Sequence, residues 1–165
     1  MRKNIFSGLS TIVGSLFVVL AMTSSTVALA DTPNCNGDPN GSQNIVVHLK
    51  KNTEDLQAAI ISARLASLMA GEGCDVTLFL TLRGVRLADA RMPQNLKFGR
   101  DDVSPAPTLQ QVVASFQASG GTVAVCPACA EEIGLTPPDL IPGAVILDRA
   151  GLVDLFLSAD KIIDF

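Results

Sequence analysis

The sequence predicts an α/β sandwich built on a mainly parallel sheet of five strands. Two observations predict it. First, five short apolar runs recur along the chain: NIVVHL at Asn44–Leu49, VTLFLTL at 76–82, TVAV at Thr122–Val125, AVIL at 144–147 and KIIDF at 161–165. They are rich in Val, Ile, Leu and Phe and show little polar alternation, as strands covered on both faces do. Second, segments with helical spacing separate these runs, and strand alternating with helix is the pattern of a parallel sheet carrying helices.

The elements follow in order. Residues 31–43 (DTPNCNGDPNGSQ) are crowded with Pro, Gly, Asn and Asp and read as an irregular tail before the first strand. After that strand, Thr53 is positioned to cap a helix over 54–70, in which Leu56, Ala59, Ile60, Ala63 and Ala66 keep a 3.6-residue period and Gly71 marks the stop. After the second strand, residues 89–107 lack periodicity and hold several Pro and charged residues. A loop of that length is a lid, an interface element or a disordered segment. Thr108 with Gln111 forms a capping box, and Leu109, Val112, Val113 and Phe116 make one apolar stripe that ends at Gly120 and Gly121. Asp148 caps a last helix over 149–158.

The first thirty residues carry a different message. Arg2 and Lys3 precede an apolar run at 12–22, and Ala28, Leu29 and Ala30 supply a small-x-small pattern. The run is shorter than the about 20 residues of a membrane span. Residues 1–30 are therefore expected to be a secretory signal peptide cleaved before Asp31. That leaves roughly 135 of the 165 residues, enough for one domain with its own core. The mature protein is expected to be exported, periplasmic or secreted, with no membrane association. The net charge is −4 and grows more negative once Arg2 and Lys3 are removed. With no Trp and no Tyr as well, nucleic acid is not an expected partner.

The cysteines are the chemistry. Sites in parallel α/β sheets form beyond the carboxyl ends of the strands. Cys126 follows the third strand directly, with Cys129 three residues on. His48, Lys50 and Lys51 close the first strand at the same pole, and Arg83 and Arg86 follow the second. Cys35 and Cys74 precede strands and fall at the amino pole, roughly 20 Å away. They are expected to form a structural disulfide that pins the tail. Cys126 and Cys129 are then the functional pair, with Lys50, Arg83 and Arg86 as candidate substrate-binding cations. A helical turn starting near Pro127 would aim free N–H groups at Cys126, while Glu131 and Glu132 would oppose its ionisation. His48 is a candidate for moving protons near the thiols. The plainer alternatives are that Cys126 is a small buried hydrophobe and His48 a hydrogen-bonded strand-end residue. One CxxC with a distant histidine does not make a zinc site, so no metal is expected. Without GxSxG, GxxxxGK[ST] or GxGxxG, neither a hydrolase serine nor a nucleotide cofactor is expected.

Taken together, three segments resemble the DsrE/DsrF-like sulfur-relay proteins: NIVVHLKKNTEDLQAAIISARLASLMAGEGCDVTLFLTLRGVRLA, GGTVAVCPACAEEIGL and LIPGAVILDRAGLVDLFLSADKIIDF. The resemblance spans residues 44–165. It implies a three-layer α/β/α fold, assembly into oligomers, here a homo-oligomer, and a cysteine after a central strand that carries sulfur as a persulfide. Cys126 stands at that position, and Cys129 matches a second cysteine found in some members. The expected function is a periplasmic sulfur carrier or sulfurtransferase-like protein, with a donor or acceptor protein or a small sulfane-sulfur compound as partner. An oxidising compartment favours closure of a CxxC into a disulfide. The alternatives are therefore a redox protein cycling Cys126 and Cys129, or a non-catalytic binding module with both cysteine pairs structural.

Overall fold

A computed structural model describes residues 35, 43–92, 95–97 and 106–165, all within one compact unit, Pro33–Phe165. The expected signal peptide and most of the expected tail lie outside the described residues, as does most of the 93–105 segment.

Five strands form one sheet: β1 (Asn44–Leu49), β2 (Asp75–Leu80), β3 (Thr122–Val125), β4 (Ala144–Ile146) and β5 (Lys161–Asp164). Their order is β4-β3-β2-β1-β5, and every pair is parallel. The helices are α1 (Leu56–Gly71), α2 (Leu109–Ala118), α3 (Pro127–Glu132) and α4 (Arg149–Leu157). Because side chains alternate along a strand, the sheet has two distinct faces. Ile45, Val47, Leu49, Val76, Leu78, Leu80, Val123 and Val125 join the buried stripes of α1 and α2 in the main core. Val46, Phe79 and Ala124 form a much smaller cluster on the opposite face, against Leu152 and Leu155 of α4.

The two faces are unequally covered, which corrects the expectation that all five strands are buried on both sides. β4 and β5 lie at the sheet edges and have no buried residue, and neither does α4. The apolar runs that produced the expectation are short enough to sit at an edge.

Local signals explain most boundaries. Thr108 and Gln111 make the reciprocal capping box, and Asp148 accepts from the Gly151 N–H at 2.7 Å. The stripe Leu109, Val112, Val113 and Phe116 is buried in full. At α1 the cap is Asp55, which accepts from the Ala58 N–H; Thr53 instead opens a 3-10 turn over Thr53–Asp55. Acidic and hydroxyl side chains compete for the same free N–H groups, and the carboxylate beside Leu56 wins. β2 stops at Leu80, two residues before the end of its apolar run, because a second 3-10 turn takes Leu82–Ala88. That turn sits on the end of β1, where the Gly84 N–H bonds to the Thr81 and Lys50 carbonyls. A buried carboxylate ties the following segment: Asp89 accepts from Arg91 Nε at 2.9 Å and from a second guanidinium nitrogen at 3.0 Å.

Cys35 and Cys74 are joined in a disulfide, with their Cα atoms 4.8 Å apart, at the amino end of β2. Cys35 is buried and its N–H bonds to the Glu72 carbonyl. The bond spans 39 positions. A loop of that size predicts a stabilisation of about 2–4 kcal/mol, mainly by restricting the unfolded chain. Urea melts of the protein and of the Cys35→Ser/Cys74→Ser double variant should differ by that amount; equal midpoints would show that the bond holds only the tail.

Candidate functional site

Across the thinly covered face, the paired registers align Asp164, His48, Phe79 and Ala124 side by side on β5, β1, β2 and β3. One step further along the strands, Thr81 and Cys126 continue the ladder. The Thr81 N–H bonds to the Leu49 carbonyl at 3.1 Å, and the Cys126 N–H bonds to the Leu80 carbonyl at 2.9 Å. Both residues are still extended, and Cys126 packs against the Val46, Phe79 and Ala124 cluster. Neighbouring strands are about 4.8 Å apart, so Thr81 stands between the histidine strand and the cysteine strand.

His48 has two partners. Its Nδ1 lies 2.8 Å from Asp164 Oδ1, and its Nε2 lies 2.7 Å from Thr81 Oγ1. An ionised carboxylate can only accept, so the ring carries its proton on Nδ1 and Nε2 accepts from the Thr81 hydroxyl. The ring also packs on Phe79, centroid to centroid at 5.4 Å, and Phe79 meets Phe156 edge-on at 5.4 Å. Burial lowers the His48 pKa below its ordinary 6.5, with Lys50 adding to the effect and Asp164 opposing it. The imidazole is neutral at neutral pH. Asp164 itself is held below the usual carboxylate range, first by a hydrogen bond from Lys50 at 2.5 Å and further by His48.

The two expected functional thiols are free and half-buried. A helical turn does begin at Pro127, with Cys126 as the N-cap of α3, and the Cys126 sulfur makes no capping bond to the helix N–H groups. The Cys129 sulfur instead accepts from the Leu82 N–H at 3.2 Å. Burial pushes the Cys129 thiol pKa up, the Leu82 bond works against this, and a hydrogen bond with Cys126 and the charge of Glu132 push it further up. Leu82, the donor in this contact, has φ of 49° and is 59% exposed. A branched residue in the left-handed region is strained, and here the strain accompanies a backbone donor turned onto a thiol.

The expected cations converge only in part. Lys50, Arg83 and Arg86 line one open cleft of about 1080 Å³ at the carboxyl pole, with Lys51, Asn52 and Leu82. Neither cysteine lines it, yet Leu82 connects its wall to Cys129. Lys50 is committed to Asp164, and Arg86 donates to Met92 Sδ at 3.5 Å. Glu54 and Glu132 also line the cleft and offset part of its positive charge. Asn52 is 5% exposed and its Oδ1 has no hydrogen-bond partner among the described residues. Such a buried acceptor costs about 1–3 kcal/mol until a donor arrives.

Sequence reasoning missed Thr81, Asp164, Leu82 and Asn52. Period-two alternation puts Thr81 on the face of Phe79, but its partnership with His48 and Cys126 needs the strand order as well.

Comparison with known proteins places these features in a wider setting. The model of the DsrE/DsrF-like family matches residues 43–165. Among solved structures, the ychN protein from E. coli is similar with a TM-score of 0.57 and 24% identity, over 75% of this chain and 99% of that one. A protein of unknown function from Methanobacterium thermoautotrophicum is similar with a TM-score of 0.53 and 15% identity, over 75% of this chain and 100% of its own. At these identities the likeness is one of fold. No curated protein gives a significant match.

Proposed function

We propose, given that the chain belongs to the DsrE/DsrF-like family, that it is an exported sulfur carrier that receives sulfane sulfur on Cys126 as a persulfide and passes it to a partner thiol. The observation that carries this reading is the free pair Cys126 and Cys129 at the carboxyl end of β3, with the Leu82 N–H turned onto the Cys129 sulfur. A sulfur carrier needs one thiol that reacts and surroundings that receive the charge. Cys126 attacks the outer sulfur of a donor persulfide, and Cys129 donates a hydrogen bond to the charge that develops there. The cleft with Lys51, Arg83 and Arg86 at its wall supports an anionic donor.

Export is supported by the basic, apolar and small-x-small order of residues 1–30 and by the Cys35–Cys74 disulfide, a bond of oxidising compartments. Self-association is supported by the thin face of the sheet, where Val145, Val153, Leu157 and Ile162 remain exposed. The CxxC spacing of these two free cysteines favours a second reading, a dithiol that closes into a disulfide and transfers electrons.

Intact mass of the reduced protein after polysulfide treatment separates the two. The carrier gains the mass of one or more sulfur atoms, removable by dithiothreitol and absent in Cys126→Ser. A gain that survives in Cys126→Ser, or no gain at any donor concentration, would overturn the carrier reading. Turnover of insulin disulfides would favour the redox one.

A further inference from the structure

We propose that Thr81 is the bridge through which His48 takes the proton from Cys126, with Asp164 fixing the ring for that task. The inference rests on Cys126 being the reacting thiol and adds how it becomes reactive. His48 is on β1 and Cys126 directly follows β3, with β2 between the two strands. The Thr81 hydroxyl gives its own proton to His48 Nε2 across 2.7 Å, and Thr81 and Cys126 directly follow the paired residues Leu80 and Val125, which sets them on neighbouring chain segments. The other end of the chain is anchored: Asp164 holds Nδ1–H, and Lys50 holds Asp164. Among the described residues, the charged groups around His48 are Asp164 from β5 and Lys50 just past the end of β1. It also meets the ring of Phe79 on β2 and the hydroxyl of Thr81 just beyond it.

The transfer balances. The Cys126 S–H bond breaks as an O–H bond forms on Thr81, and the earlier Thr81 proton passes to His48 Nε2. The electron pair stays on sulfur, and the imidazolium is paired with Asp164. The thiolate attacks the outer sulfur of a donor persulfide, R–S–SH. A Cys126 S–S bond forms, the donor S–S bond breaks, and the departing thiolate recovers the proton from His48 through Thr81. Cys126 ends as the persulfide and the donor as R–SH, with no external oxidant.

Thr81 and Asp164 are positioning and relay groups, so the test needs readouts that a structural role would not move. The full chain carrying Cys129→Ser leaves Cys126 as its one free thiol, and its alkylation by iodoacetamide is followed by mass from acid to alkaline pH. Thr81→Val should slow alkylation at neutral pH at least about tenfold, and Thr81→Ser should restore it. This loss is below the about 100–10,000-fold of positioned general bases because a thiol is already partly ionised there. His48→Gln should match Thr81→Val, and the double variant should lose no more than either alone. At alkaline pH the rates should converge. Equal rates in Thr81→Val and its parent at neutral pH, or failure of Thr81→Ser to restore, would overturn the relay. Should Thr81→Val not fold, Thr81→Ala carries the same comparison. Sulfur loading of the Thr81 and His48 variants with Cys129 intact keeps the two ideas apart. Loading that ignores Thr81 leaves the carrier and removes the relay; Thr81-dependent alkylation without loading leaves the relay and removes the carrier.

Discussion

Phe79→Ala is expected to cost about 3–5 kcal/mol, the range for a fully buried aromatic ring. Phe79 is 2% exposed and is the largest side chain of the small cluster on the α4 face. It touches His48 on one side and Phe156 on the other. Its loss therefore takes away both the packing that holds α4 to the sheet and the wall behind the imidazole. Urea denaturation measures the first effect, and Phe79→Leu should recover most of it because far less volume is lost. The second effect is visible by NMR, since His48 is the one histidine of the chain. Burial is the main reason its pKa is lowered from 6.5. Hydrating the ring should move the value back up. The sign of the linked stability follows. A folded-state pKa below the unfolded one means that the unfolded chain binds more protons in the interval, so wild-type stability falls as pH drops from 6.5 through the folded value. In Phe79→Ala that pH-dependent loss should shrink. An unchanged His48 titration in the variant would show that Phe79 does not shield the ring.

Gly84→Ala should be the most damaging small substitution at the carboxyl pole. A Cβ at Gly84 would stand 2.4 Å from the Leu49 carbonyl oxygen and 3.3 Å from that of Lys51. Both are backbone atoms, so no rotamer change relieves the clash, and the 3-10 turn must lift from the end of β1. Overpacking of this kind costs about 1–3 kcal/mol or more. The turn also holds Leu82, Arg83 and Arg86, so lifting it withdraws the Leu82 N–H from Cys129 and opens the cleft. The expected result is a lower urea midpoint together with faster alkylation of Cys129, read by peptide mapping. A lower midpoint with Cys129 still protected would mean that the turn distorts without leaving its thiol.

The parts of this molecule that are legible in sequence are those set by neighbours along the chain. β1 and β3 have the bounds of their apolar runs, and the capping box of α2 and the Asp148 cap of α4 form as their spacing requires. The pairing of Cys35 with Cys74 follows from which strand each precedes. Where two local signals compete, tertiary docking decides. Thr53 and Asp55 are both good caps, and the turn that seats Leu56 selects Asp55. The row from Asp164 to Cys126 was hidden for another reason. Its members are drawn from β5, β1, β2 and β3, and no spacing along the chain says that β5 returns to lie beside β1. The strained Leu82 is equally silent, because nothing in a leucine announces a positive φ.

That return of β5 to β1 has a consequence for the order of events as the chain is made. Both cysteines of the CxxC, the threonine and the histidine precede Asp164 in the chain, and a chain made from its amino end must present them first. Strand β1 waits with one edge unpaired until β5 docks, and His48 waits with Nδ1 unanswered. Until Asp164 is made and β5 docks, the imidazole lacks the carboxylate that holds its Nδ1–H.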